Sequence, residues 1–365
     1  MTDARRTRPR VLHVVPALFG SDGVFGGAER YAIELARYMA EVTPTRLLSF
    51  GDQAKTERLG SLDIRVIGNP WHVRGQRSNP ISPAIVPEIM HSDVVHCHQQ
   101  HILASSMAAL ISRVTRRKVF VTDLGGGGWD LSAYIRTDRW YNGHLHISEY
   151  SRRVFAQQGQ PWSHVILGGI DTEKFSPEAS IERDGSVVFV GRLLPHKGIN
   201  FLVEATPPDV PLRLVGRPMD ERYLAELKTL AESKPVTFHH HCTDNDIIRF
   251  YRNAMCIVLP SVYRDMYGRE TNVPELLGQT LLEGMSCGTP AICTDVASMP
   301  EIVEDGKSGF IVPPNDSSAI CRRIAWLREH PSEATQMGTA ARQRVLDKFT
   351  WPTVVGRCLE IYARS

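Results

Sequence analysis

The stretch VVFVGRLLPHKGINFLVEA, residues 187–205, decides how this chain of 365 residues folds. Its opening run, Val187-Val188-Phe189-Val190, is apolar and β-branched or aromatic throughout, which reads as a strand buried on both faces. Gly191 ends the strand, and a short loop then carries Arg192 and Lys197, five residues apart, before an apolar helix over 199–206. Strand, tight loop and helix make the repeating unit of parallel sheets, and ligands of such sheets sit at the carboxyl ends of the strands. Two cations at that position suit a diphosphate, because a guanidinium can fork onto two oxygens while an ammonium acts as a mobile point charge. A solvated basic turn is the competing reading of the same residues.

The pattern extends in both directions. Upstream, apolar runs at 11–16, 46–50, 64–68, 93–98, 118–124, 144–148 and 164–169 predict strands, with helical segments between several of them and a helix over 28–40. Downstream, 212–216, 236–240, 256–260, 291–295 and 309–313 continue the series, separated by helices predicted at 221–232, 244–252, 276–287, 317–329 and 333–347. A last helix is predicted at 351–362, with Pro352 in its first turn. The polar stretch 172–185, which holds Pro177, reads as a linker. The fold class is therefore α/β, with two such units in tandem.

Composition narrows the function classes. Hydrophobic residues make up 42% of the chain and charged residues 22%, the pattern of an ordinary globular protein. The net charge of +2 lacks the basic excess of a nucleic-acid binder. The one dense basic run, Arg5, Arg6, Arg8 and Arg10, reads as a solubilising tail that could also touch an acidic membrane surface. No apolar run reaches 18 residues, so no transmembrane helix is expected. The seven cysteines form no C-x-x-C pair, and buried free thiols in a cytoplasmic, reducing setting are the expectation.

Two further motifs fall at strand ends. Phe25-Gly26-Gly27-Ala28-Glu29-Arg30 opens a helix after the first strand, where glycines let backbone amides approach a phosphate or sugar. It is not a G-x-G-x-x-G fingerprint, and a simple turn fits it equally. In PELLGQTLLEGMSCGTP, residues 274–290, a helix over 276–287 would put Glu275 at its mouth and Leu276, Thr280 and Glu283 along one face. The two carboxylates would then lie about 12 Å apart along the axis, too far for the acid–base pair of a glycoside hydrolase. Gly278 inside a helical turn suggests close packing or ligand approach. His96 and His98 share one face of a strand that Gln99, Gln100 and His101 follow. A zinc site built on His96, His98 and His101 lacks a fourth ligand spacing, and no metal is expected.

These motifs in this order resemble the large GT-B family of retaining glycosyltransferases, glycosyltransferase family four, which includes sucrose synthase, sucrose-phosphate synthase and many mannosyl and glucosyl transferases. Residues 190–205, 275–290 and 299–314 carry the resemblance, which is strongest over 187–316 and extends weakly through Gly26–Arg30 and 93–98. It implies two facing Rossmann-like domains with a cleft between them. The division would be an acceptor-side domain at 1–175, a nucleotide-sugar-binding domain at 176–348, and a final helix at 349–365 packing back on the first. It implies that Arg192 and Lys197 contact the donor diphosphate, that Glu275 lies near the donor sugar and that Glu283 holds the ribose hydroxyls. Gly26 and Gly27 fall at the family's glycine loop, and Gly278, Thr280 and Leu281 would add donor contacts. His98 is the histidine candidate for the sugar and acceptor side. The catalytic set is then His98, Arg192, Lys197 and Glu275.

Some positions depart from the family pattern. The first glutamate is followed by Leu276-Leu277-Gly278 where E-P-F-G or E-x-F-G is usual. A polar excursion fills 261–274, and the run of four glycines before Trp129 and Asp130 replaces a more usual histidine-bearing stretch, so these two residues become acceptor-wall candidates. The resemblance implies transfer of a hexose-type sugar from a UDP- or GDP-sugar to a hydroxyl acceptor, with no bound cofactor, by a monomer or homodimer. A nucleotide-sugar epimerase, a phosphorylase or a non-catalytic sugar-nucleotide-binding protein on the same fold is the alternative.

Overall fold

The computed structural model describes residues 8–16, 27–125, 130–155 and 157–365. The chain divides into two compact units, Met1–Gly169 with Trp351–Ser365, and Ile170–Thr350.

The first unit is built on β1 (Val11–Val14), β2 (Thr45–Gly51), β3 (Lys55–Leu59), β4 (Leu62–Gly68), a two-strand ribbon of β5 (Trp71–His72) and β6 (Pro80–Ile81), then β7 (Val94–His98), β8 (Lys118–Thr122), β9 (Gly143–His146) and β10 (Ser163–Val165). Apart from the ribbon these strands form one eight-stranded sheet in the order β10-β9-β8-β7-β1-β2-β4-β3. All pairings are parallel except that of β3 with β4. The order reverses between β1 and β7, where a parallel sheet opens a crevice at its carboxyl edge. β3 was not expected from sequence: Lys-Thr-Glu-Arg-Leu is exposed along its whole length, as suits an edge strand that must not recruit a neighbour. Helices α1 (Gly27–Ala40), α2 (Ile85–Met90), α3 (Leu103–Val114) and α4 (Glu149–Val154) connect the strands. α1 buries Tyr31, Leu35 and Met39 at i, i+4 and i+8, the spacing of a single apolar stripe. The C-terminal helix Trp351–Arg364 belongs to this unit, with the fully buried Trp351 edge-on to Tyr31 at 5.2 Å.

The second unit contains β11 (Val187–Val190), β12 (Leu212–Val215), β13 (Val236–His239), β14 (Cys256–Leu259), β15 (Ala291–Thr294) and β16 (Gly309–Val312), all parallel, in the order β13-β12-β11-β14-β15-β16. That is the Rossmann order, with its switch point between β11 and β14. The helices are α5 (Ile199–Ala205), α6 (Glu221–Ala231), α7 (Asp244–Asn253), α8 (Gln279–Ser286), α9 (Met299–Ile302), α10 (Ser317–Glu329) and α11 (Pro331–Lys348). Side-chain caps fix several starts: Asp220, Thr243 and Asp316 accept from backbone amides three residues on.

Two sequence expectations are corrected. The stretch 172–185 is not a free linker. Ile170 donates its N–H to Phe349, and the buried Phe175 gives its carbonyl to Ser286 Oγ at 2.5 Å, so this stretch is bound into the second unit from Ile170 onward. The helix expected from 276 starts at Gln279, because Gly278 takes a left-handed conformation, φ 69°, that ends the preceding loop and caps the helix. Leu276 and Leu277 therefore lie outside the helix, and the axial spacing drawn between Glu275 and Glu283 does not apply.

Candidate active site

In the second unit the loops after β11 and β14 meet at the switch point. Gly198, at φ 64°, packs so closely that a Cβ there would lie 2.1 Å from the Pro260 carbonyl oxygen. Only glycine permits both the turn and the approach. Val262 N–H donates to His196 O at 2.9 Å, locking the two loops together. The result is that Lys197, 9% exposed, points at Glu275. Its Nζ donates to Glu275 Oε1 and, at 3.4 Å, to Pro274 O, while Ser261 Oγ donates to the same carboxylate oxygen at 3.2 Å. The Ser298 hydroxyl holds the Glu275 carbonyl at 3.3 Å. An ammonium and a carboxylate only 11% and 13% exposed are expensive to desolvate, so each depends on the other. His196 beside them is kept neutral, its pKa pushed down to about 4 by burial and then by Lys197. Arg192, by contrast, is exposed, and its guanidinium makes no hydrogen bond or ion pair among the described residues. The sequence-predicted Arg192, Lys197 and Glu275 thus fall on neighbouring loops of one strand edge.

The remaining donor-side candidates divide. The backbone N–H groups of Gln279 and Thr280 form the open first turn of α8, where no described hydrogen bond uses them. Leu281 is fully buried and its N–H is given to Gly278 O at 3.0 Å, so both its side chain and its amide are committed to the fold. Glu283 is 3% exposed and accepts from Tyr251 OH at 2.8 Å, a pairing across α7 and α8 that the sequence did not reveal. The polar excursion 261–274 is ordered: Asp265 accepts from Tyr267 N and Arg269 N, and Tyr263 OH accepts from Ala297 N at 2.9 Å.

In the first unit the switch point carries histidines. His98 ends β7, and its ring stacks on that of His96 at 4.5 Å, as the two-residue spacing predicts. The third member of the cluster is His13 of β1, not His101. The pairing of β1 with β7 puts His13 opposite His96, and both rings and His98 are at least 98% buried. His101 instead faces Ser132 Oγ at 2.8 Å and Asp123 at 3.9 Å. His13 was legible as the one polar residue in VLHVV, a signal that no motif flagged.

Hydrogen bonding fixes the tautomers. His13 Nε2 lies 3.3 Å from Met39 Sδ, which can only accept, so that nitrogen carries the proton. His13 Nδ1 then accepts from His98 Nε2–H at 2.8 Å, leaving His98 Nδ1 as a bare lone pair with no hydrogen-bond partner among the described residues. His96 is satisfied by Thr122 Oγ1 at 2.8 Å and Tyr362 OH at 2.7 Å. The ligand atoms of the trio lie within 4.8 Å of one another. Five of the six ring nitrogens are nevertheless engaged, so a metal would have to break this network to bind. Burial pushes all three pKa values down, His13 to about 3, which keeps the cluster neutral.

Gly27 is the first residue of α1, whereas Gly26 and Trp129 lie outside the described residues. Asp130 is 1% exposed and its carboxylate takes Ser132 N–H at 2.9 Å and Ser106 Oγ at 2.6 Å. It caps the 3-10 turn Leu131–Ala133 and is internally satisfied.

Comparison with known proteins agrees with this architecture. Residues 146–344 match the family described as glycosyl transferases group 1, and residues 25–174 match glycosyltransferase family 4. The α-maltose-1-phosphate synthase of Mycobacterium tuberculosis is 27% identical over 93% of this chain and 96% of its own length. Its Mycolicibacterium smegmatis counterpart is 31% identical, over 55% of this chain and 56% of that enzyme. A GDP-mannose-dependent α-(1-6)-phosphatidylinositol monomannoside mannosyltransferase of M. smegmatis is 29% identical over 70% of this chain and 72% of its own. Among solved structures, Anabaena HepE in complex with UDP and glucose superposes with a TM-score of 0.73 at 20% identity, covering 98% of this chain and all of that one. With a family match over more than half its length, and two Rossmann-like units of the GT-B kind, the chain belongs to the glycosyl transferases group 1 family and is a glycosyltransferase acting on nucleotide-sugar donors.

Proposed function

We propose that the chain is a retaining hexosyltransferase that takes its sugar from a UDP- or GDP-sugar and passes it to a hydroxyl acceptor. The observation that carries the reading is the Lys197–Glu275 pair beside the unpartnered Arg192 at the switch point of the second sheet. A departing nucleoside diphosphate gains negative charge in the transition state. Fixed cations that meet this charge lower the barrier by several kcal/mol as an order of magnitude. Arg192 is free to fork onto the diphosphate, and Lys197 is already aimed and desolvated. The open amides of the first turn of α8, next to Gly278 and Thr280, offer a second place for phosphate oxygens. Glu275 Oε1 is occupied by Lys197 and Ser261, which suits orientation of the donor sugar and not covalent attack. Glu283, held by Tyr251, is assigned to the ribose hydroxyls.

On the first unit, His98 is assigned to the sugar and acceptor side: its Nε2–H is committed to His13, and its buried Nδ1 keeps the lone pair that a sugar or acceptor hydroxyl would engage. Gly27 starts α1, and the N-terminus of this helix is assigned to the same ligand. The retaining course is read from the Arg/Lys and Glu/Glu motifs shared with retaining enzymes. It requires same-face attack, with the leaving phosphate taking the acceptor proton. Seven free cysteines, five of them buried, support a cytoplasmic setting. Among the described residues no helix is long and apolar enough to cross a membrane.

A thermal-shift screen of nucleotide sugars, followed by mass analysis over an acceptor panel, tests the reading. A product heavier by one sugar, with the donor's anomeric configuration by NMR, is expected. Epimerised donor without acceptor would overturn transfer, and an inverted anomer would overturn retention.

A further inference from the structure

The carboxyl edge of the first sheet holds the histidines, and its amino edge has a different chemistry. Arg10 precedes β1, Lys118 opens β8 with Arg117 just before it, and Arg113 lies in the last turn of α3 with Arg116 just beyond the helix. From Leu103 to Lys118 the chain carries four cations and no carboxylate. Hydrogen bonds knit the edge into one surface: Arg113 donates to Arg139 O at 2.6 Å, and Arg117 donates to Met90 O at 3.0 Å. Asp93 bridges Arg10 at 3.1 Å and Arg117 at 3.9 Å. These contacts fix the guanidinium groups without cancelling most of their charge. The Arg116 guanidinium has no partner among the described residues.

Apolar side chains stand among the cations. Val114 is 77% exposed, Leu110 one turn earlier on α3 is 41% exposed, and Met90 is 44% exposed. In a protein of net charge +2, cations are concentrated here around uncovered aliphatic groups. A helix C-terminus favours cations through its dipole, which accounts for Arg113 alone. It does not account for Arg10, Arg117 and Arg139 on other segments, nor for an uncovered valine in their midst.

We propose that this amino edge of the first sheet docks on an anionic lipid bilayer, the arginines meeting headgroup phosphates while Val114 and Leu110 enter the acyl boundary. Charge complementarity selects the occupant. Each basic side chain near an anionic leaflet adds attraction that salt screens, and the aliphatic pair adds a component that salt does not remove. Docking through the amino edge leaves the carboxyl edge, with His98, clear for substrate. The inference does not depend on the sugar-transfer reading.

The full chain is sedimented at low salt with vesicles of phosphatidylcholine containing roughly a third phosphatidylglycerol, and with phosphatidylcholine alone. Binding to the anionic vesicles only is expected. It should weaken at least about tenfold in Arg113→Glu/Arg116→Glu and several-fold in Val114→Asp, and stay unchanged in Lys228→Glu/Lys348→Glu on the second unit. All of these positions are exposed, and circular dichroism checks that each variant is folded. Failure of the wild type to sediment with anionic vesicles overturns the proposal, as does equal binding by folded Arg113→Glu/Arg116→Glu. Release by millimolar inorganic phosphate, with Val114→Asp binding like wild type, would identify a phosphate site and also overturn it.

Discussion

The two sheets each reverse strand order beside their first strand and treat charge in opposite ways at these switch points. Beside β11 and β14 the chain keeps a buried ion pair and an open guanidinium. Beside β1 and β7 it gathers three imidazoles, buries them and holds them neutral. The first arrangement suits a step in which negative charge grows, because Lys197 is held in place before that charge appears and Arg192 is open to meet it. The second is a neutral, internally hydrogen-bonded cluster, and the buried His98 Nδ1 is its one uncommitted ring nitrogen among the described residues.

The comparison breaks most easily at Lys197. Lys197→Ala should lower kcat/KM for the donor by about a hundred- to a thousand-fold, measured by nucleoside diphosphate release with acceptor present. Loss below tenfold would mean that the ion pair is structural only. Glu275→Ala strands the buried ammonium and should cost about 3 kcal/mol of stability by denaturant unfolding, whereas Lys197→Met/Glu275→Leu together should cost less.

The histidine side is tested by acid. Folded-state pKa values lie below the unfolded value near 6.5, so the unfolded chain binds more protons as pH falls. The cluster therefore makes no difference to stability above about 6.5 and destabilises progressively below it, by up to about 1.4 kcal/mol per pH unit for each histidine. For His13 this continues to about 3. Unfolding free energies between pH 6 and 4 should fall less steeply in His13→Gln than in the parent, by about one proton's worth. An identical slope would mean that His13 is not held neutral.

How much of this was legible depended on what decides each feature locally. Strands such as β1, β11, β14 and β15 were readable because both faces are buried and their sequences are largely apolar runs. Edge strand β3 was not, since its exposed Lys-Thr-Glu-Arg-Leu looks like a loop. The start of α8 was misplaced because Leu276 and Leu277 continue the apolar spacing, while the break is a backbone angle at Gly278. Arg192, Lys197 and Glu275 were readable from their places at strand ends. The partnership of His13 with His98, and of Tyr251 with Glu283, joins residues 85 and 32 positions apart and becomes visible only when strand order and helix packing are known.

The smallest expected effect follows from that misplaced boundary. Gly278→Ala should lose about 1–2 kcal/mol of stability, since alanine resists the left-handed conformation. A helix-interior glycine would have gained stability on the same change.

Calorimetric titration of UDP and GDP into the parent, Arg192→Ala and Lys197→Ala tests the central assignment most directly. One of the two nucleotides should bind the parent and bind each variant at least about tenfold more weakly, as befits loss of a charged contact to phosphate. Equal affinity in all three proteins would contradict the placement of the donor diphosphate at the β11 loop.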